Sequence, residues 1–209
     1  MKKLMGLALL FILLLQSCAL ALTGTDYPAW DGAAPVQNAL AGSIDGANIY
    51  LEFDASADYS MRGEGYLLAC FFAYDAAQQN YIELYLLMPE TIAAGDVITP
   101  QTAAAKGAEL ASISLFEVYA SGDEAEYMAG QLADQAYPAG SSYSIAIESA
   151  QTADDKITVS GKLDAILSDG ARTIALSGVQ FHFALPTGNT SAAPQPAQTD
   201  SVPENCVKV

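Results

Sequence analysis

The chain has 209 residues and a formal charge of −16, with 8 Lys plus Arg against 24 Asp plus Glu. Nucleic acids and anionic lipid surfaces are held by basic side chains that displace counterions, so neither is expected as a partner. Loss of Lys2 and Lys3 with a cleaved leader would take −16 to −18, leaving Arg62, Lys106, Lys156, Lys162, Arg172 and Lys208 dispersed along the rest.

Lys2 and Lys3 precede an uncharged apolar stretch from Leu4 to Leu15, and Gln16 to Ala21 is short and mostly small or polar. That is the layout of a secretory signal peptide over residues 1–21, with Ala19-Leu20-Ala21 offering small side chains to signal peptidase. The competing reading is a membrane anchor. It needs about 20 apolar residues, and extension to Leu22 would bury Gln16 and Ser17. Leu15-Gln16-Ser17-Cys18 also resembles the lipobox of bacterial lipoproteins, in which the cysteine is acylated, although Gln16 departs from the small or aliphatic residue usual there. Cleavage after Ala21 and lipidation at Cys18 both predict an extracellular or cell-surface location. A membrane is then a partner only through a lipid on Cys18.

Residues 22–38 read as a lead-in, 39–186 as the folded domain and 187–209 as a disordered tail, whose Pro, Gln, Ser and Thr cannot bury enough surface to offset chain entropy. Roughly 160 residues between the ends suffice for one domain with a substantial core. Ile49 to Phe53 is the first expected strand. Gly65 to Tyr74 carries apolar residues on both parities, as a strand covered on both faces does, and Cys70 within it reads as a small buried hydrophobe. In Tyr81 to Met88 one parity holds Ile82, Leu84, Leu86 and Met88, the other Tyr81, Glu83, Tyr85 and Leu87; Pro89 ends the strand. Such alternation sets one face against a core.

Thr102 to Leu110 and Asp123 to Ala133 are the candidates for short helices, though neither shows a long apolar stripe. Ala111 to Ala120 is a strand. Period two returns at Tyr143, Ile145 and Ile147, and at Ile157, Val159, Leu163 and Leu167. In the last run Ile174 and Leu176 share one parity, while Val179, Phe181, Phe183 and Leu185 share the other. The switch at Ser177-Gly178 predicts either a β-bulge or two short strands. Asp45-Gly46, Ala94-Gly95-Asp96, Ser121-Gly122-Asp123 and Asp169-Gly170 suit turns, the last as a hairpin between the final two strands. The expectation is an all-β, mainly antiparallel fold: a β-sandwich or partly open barrel of about 7–9 strands with at most short helices.

Tyr137-Pro138-Ala139-Gly140 leads into Tyr143 to Ile147; Val159-Ser160-Gly161-Lys162-Leu163 follows, and then a last strand containing Gly178-Val179-Gln180-Phe181. Together with Ile92-Ala93-Ala94-Gly95-Asp96-Val97-Ile98, this order resembles exported bacterial β-sandwich proteins and lipoproteins of unknown function. The resemblance covers about the second half of the chain. It implies fold and location and brings no activity with it.

The chemistry-bearing residues are sparse. His182 is the only histidine, expected to face solvent on a strand, and no G-x-S-x-G elbow accompanies it, so a Ser-His-Asp arrangement is not expected. Catalytic residues, metal ligands and cofactors are all expected to be none. Cys70 and Cys206 cannot make a zinc site with one histidine, and a disulfide between them would require the tail to reach a buried strand. Asp54-Ala55-Ser56-Ala57-Asp58 and Asp123-Glu124-Ala125-Glu126 lack calcium-loop spacing and read as solvated loops.

One constellation invites a ligand. Tyr81, Glu83 and Tyr85 share the non-aliphatic face of their strand, where rings stack on a sugar and a carboxylate accepts its hydroxyl hydrogen bonds. The plainer reading is that tyrosine simply suits a strand surface. The expected function is an exported, non-enzymatic domain binding glycan, peptide or another protein at the cell envelope. The alternatives are a carboxylate-dependent glycoside hydrolase, which needs two acids facing one cleft, and a structural or assembly subunit of the cell surface, marked by an unpaired edge strand.

Overall fold

A computed structural model describes residues 26–32, 36–56, 59–63, 65–105, 110–132, 135–136 and 139–186. The leader, Cys18, Cys206 and the 187–209 tail lie outside the described residues. In chain order the elements are β1 (Ala39–Ile44), β2 (Ala47–Asp54), β3 (Met61–Gly63), β4 (Tyr66–Tyr74), β5 (Tyr81–Pro89), β6 (Val97–Ile98), α1 (Pro100–Ala105), β7 (Leu110–Val118), β8 (Glu124–Leu132), β9 (Gln135–Ala136), β10 (Ser142–Ala153), β11 (Lys156–Ser168) and β12 (Thr173–Pro186).

The chain is all-β and antiparallel, but it is neither a sandwich nor an open barrel. Eight strands close a ring in the order β11, β12, β1, β2, β4, β5, β7, β8, while β6, β9 and β10 lie outside it. Two long-range pairings produce the closure. β1 runs beside β12, with Leu40 opposite Phe181 and Ile44 opposite Leu176. β8 meets β11 at Met128 and Ser168. The edge of β11 that faces β8 is occupied along most of its length by β10, whose Tyr143, Ile145 and Ile147 still face the core. The short β3 continues the edge partner of β4 where β2 stops.

Period-two patterning fills the ring. Leu51 of β2, Phe71 of β4, Leu84 of β5, Leu115 of β7, Leu163 of β11 and Phe183 of β12 all point inward and are fully buried. Eight strands leave an interior just wide enough for such side chains. Phe53, Phe71 and Phe183 meet there, with ring centroids 5.7 and 6.2 Å apart. A membrane-spanning barrel carries its apolar residues outward and its polar residues within; here Leu163, Ala165 and Leu167 point in, while Lys162 and Asp164 are exposed. No helix among the described residues is long and apolar enough to cross a membrane.

The bulge at Ser177-Gly178 is present, and β12 runs unbroken through it. Between Leu163 and Ala165 of β11, Ser177 and Gly178 of β12 oppose the single residue Asp164, and between Ala41 and Ser43 of β1, Gly178 and Val179 oppose Gly42. The Asp169-Gly170 hairpin is also present: Gly170 has φ +90°, and the Asp169 carboxylate accepts the N–H groups of Ala171 and Arg172 at 2.7 and 2.5 Å.

Three local expectations are corrected. The stretch from Asp123 to Ala133 is not helical as far as it is described, because Ala125, Tyr127 and Ala129 alternate inward along β8. Glu124 and Glu126 therefore stand on the outside of a strand rather than in a loop. The helix expected at Thr102 begins two residues earlier, at Pro100, and is described only to Ala105. The first strand is Ala39–Ile44, in which small residues separate the buried Leu40 and Ile44, and it precedes the one expected.

Candidate functional site

The outer surface of β2, β4, β5, β7 and β8 carries a concentration of aromatic and acidic side chains. Cross-strand register explains it: Tyr74 opposes Tyr81, Phe72 opposes Glu83, and Cys70 opposes Tyr85 between β4 and β5. On the next strand Glu83 opposes Phe116 and Tyr85 opposes Ser114. Glu52 of β2 opposes Phe72. Odd positions of β5 and even positions of β4 thus form one continuous outward face, as the pleat requires.

The expected trio of Tyr81, Glu83 and Tyr85 lies on this face, but its members are held differently. The Tyr85 hydroxyl donates to Glu83 Oε2 at 2.9 Å, and its ring meets Phe116 edge-on at 5.6 Å. Burial, reinforced by the nearby Cys70 and by Glu83, pushes the Tyr85 phenol well above its ordinary value. Tyr85 is therefore committed to its neighbours. Tyr81 turns the other way, 5.5 Å from Tyr74, which stacks edge-on with Phe72 at 6.1 Å. Burial, then the carboxylates of Glu83 and Glu124, raise the Tyr81 phenol. Tyr74 is 49% and Tyr59 47% exposed, so the open part of this surface lies around Tyr74 rather than Tyr85.

A groove of about 550 Å³ adjoins Tyr74. β2 and β4 pair only from Glu52 to Asp54 and separate toward the turn that follows β4. The lead-in segment occupies that opening. Its Pro28 carbonyl accepts the Tyr50 N–H at 2.8 Å, its Asp26 carbonyl accepts the Ala76 N–H at 3.1 Å, and Tyr27 packs on the core. Tyr50, Glu52, Phe72 and Tyr74 form one side of the groove, and Asp26 and Pro28 line it with them. Asp75 closes one end but is committed to its turn: it accepts from the Gln79 N–H at 2.8 Å and the Asn80 amide at 2.5 Å, and these bonds, the Gln79 N–H first, hold its carboxyl below the usual range. Asp26 and Glu52 are exposed. The groove was not foreseen because its residues come from three separate stretches.

A second polar group lies inside the ring. Glu117 points inward, opposite Ile82, and is only 1% exposed. The Tyr119 hydroxyl donates to its Oε2 at 2.7 Å. Burial raises its carboxyl pKa, against the opposing effects of Tyr119 and Arg172, and Arg172 lies 6.0 Å over the Tyr127 ring. Glu117 is thus desolvated and enclosed, whereas Asp26 and Glu52 of the groove are solvated.

His182 is half-buried rather than fully solvent-facing. Its Nδ1 accepts the Asn38 N–H at 2.9 Å, just before β1, and burial lowers its pKa. Cys70 is 1% exposed, and burial pushes its thiol up to about 12. Among the described residues no three His, Cys, Asp or Glu side chains gather as metal ligands would. Comparison of the chain with known protein families, curated proteins and solved structures finds no match.

Proposed function

We propose that this chain is an exported, non-enzymatic binding domain that holds glycan, peptide or another protein at the cell envelope through the outer face of β2, β4 and β5. The observation that carries the reading is the exposed Tyr74 ring, 5.5 Å from Tyr81 and at the edge of a groove that Glu52 and Tyr50 also line. Tyrosine is intermediate in burial; what favours recognition is an exposed ring beside a concave surface and carboxylates that form no ion pair among the described residues. The leader-like start supports export, and a mass measurement of the mature protein tests it. A start at Leu22 means secretion, a lipid-bearing Cys18 means anchoring, and an intact Met1 removes the export reading.

The binding reading is tested by screening immobilised oligosaccharides and peptides against the wild type and Tyr74→Ala. The expected result is a ligand retained by the wild type and lost by the variant. Equal retention by both, or none by either, would remove this face from consideration.

A second reading, assembly, draws on β10. Its edge away from β11 pairs with β6 only at Ile145 and Ala146 and carries no strand pairing from Ser149 to Ala153 among the described residues. That edge is polar and bulged at Glu148, both devices that discourage edge-to-edge pairing, so assembly ranks below binding.

A further inference from the structure

We infer that the groove beside Tyr74 takes a cationic polypeptide segment, with a Lys or Arg side chain laid across Tyr50, Phe72 and Tyr74 and its charge between Asp26 and Glu52. This rests on the binding-face reading above and names its ligand class.

Charge complementarity carries the choice. Asp26 and Glu52 both line the groove, are exposed and form no ion pair among the described residues. The described basic side chains are engaged or distant. Arg62 pairs with Glu90, with Nε to Oε1 at 2.6 Å; Lys162 pairs with Glu148 at 2.7 Å; Arg172 reaches Asp169 at 3.7 Å; and Lys156 begins β11 at the opposite end of the ring. A neutral ligand covering the groove would strip water from two carboxylates without returning an opposite charge, which is costly. An ammonium or guanidinium offsets that cost.

The aromatic component points the same way. A cation near a tyrosine or phenylalanine ring is attracted by the negative ring face, and the methylene stem of Lys or Arg covers apolar surface while its head stays polar. Phe72 and Tyr74 supply the rings and Tyr50 extends the platform. The chain's charge of −16 adds long-range attraction for a basic partner.

The test uses the full chain and a fluorescent peptide of alternating Gly and Lys, followed by anisotropy. Its lysine-acetylated counterpart and a panel of neutral oligosaccharides serve as competing probes. The expected result is binding of the lysine peptide, absent for the acetylated one and weakened roughly tenfold in Asp26→Asn/Glu52→Gln. Binding should also weaken steeply as salt rises from about 0.05 to about 0.5 M. Glu148→Gln, which changes an exposed acid elsewhere, should leave the affinity unchanged; an equal loss there would mean diffuse attraction and overturn the site. If a neutral sugar or the acetylated peptide binds, is lost in Tyr74→Ala and ignores Asp26→Asn/Glu52→Gln, the cationic assignment fails while the binding face stands. If no probe depends on Tyr74, both fail.

Discussion

Gly161 of β11 lies opposite Phe181 of β12, and a Cβ at position 161 would come 2.7 Å from the Phe181 ring and still closer to the Ala146 carbonyl oxygen. One obstacle is backbone and cannot swing aside. Both residues lie in the stretches that suggested an exported β-protein, so the Gly-and-Phe pattern has a packing explanation: the glycine leaves room for an aromatic ring on the adjacent strand. Gly161→Ala should overpack this contact and destabilise the fold by about 1–3 kcal/mol, read as a lower urea midpoint. A midpoint equal to wild type would show that the ring and β10 move apart freely.

Glu117 sets a pH dependence. Its folded-state pKa is raised above the ordinary 4.5, burial being the main cause. Its contribution to stability is therefore whole below about 4.5 and is lost as pH rises through the folded value. Glu117→Gln keeps an acceptor for Tyr119 without the charge, so its stability should lack this decline and exceed wild type at neutral pH. Parallel stability curves for the two proteins would contradict the assignment.

His182 works in the opposite direction. Burial lowers its pKa below 6.5, and the Asn38 N–H donated to Nδ1 requires the neutral ring. Its contribution is present above 6.5 and is lost as pH falls through the folded value. An NMR titration of the imidazole should give a midpoint below 6.5; a midpoint at or above that value would mean that the Asn38 contact does not hold the neutral form.

Cys70 should be inert. Its thiol is pushed up to about 12 by burial, and the thiolate is the reactive species. Alkylation of Cys70 at pH 8, followed on its own peptide by mass spectrometry apart from Cys18 and Cys206, should be negligible in the folded protein and complete in urea. Fast modification without denaturant would show that the surface above β4 opens readily.

What was legible in the sequence was local. Alternation placed β5, β10, β11 and β12, and the parity switch at Ser177-Gly178 located the bulge, because side-chain direction reverses at each residue of a strand. Closure was not legible. Pairing of Met128 with Ser168, or of Leu40 with Phe181, joins segments far apart in the chain, and alternation looks the same in a sandwich and in a barrel. β1 escaped because Ala39-Leu40-Ala41-Gly42-Ser43-Ile44 holds a single strand-favouring residue, Ile44, among alanine, leucine, glycine and serine. β8 escaped because Glu, Ala and Met are good helix formers, a preference that burial of Tyr127 overrides. Of the outer face, Tyr81, Glu83 and Tyr85 could be nominated from one strand alone. Tyr74, Glu52 and Asp26 needed the register between strands and the docking of the lead-in.

Where a ligand touches the molecule distinguishes a cationic groove from diffuse attraction most directly. Backbone amide NMR of the full chain during titration with the alternating Gly and Lys peptide reads this residue by residue. Saturable shifts should concentrate at Tyr50, Glu52, Phe72, Tyr74 and Tyr81. Shifts gathered instead along β10, or spread evenly over the acidic surface, would contradict binding in the groove.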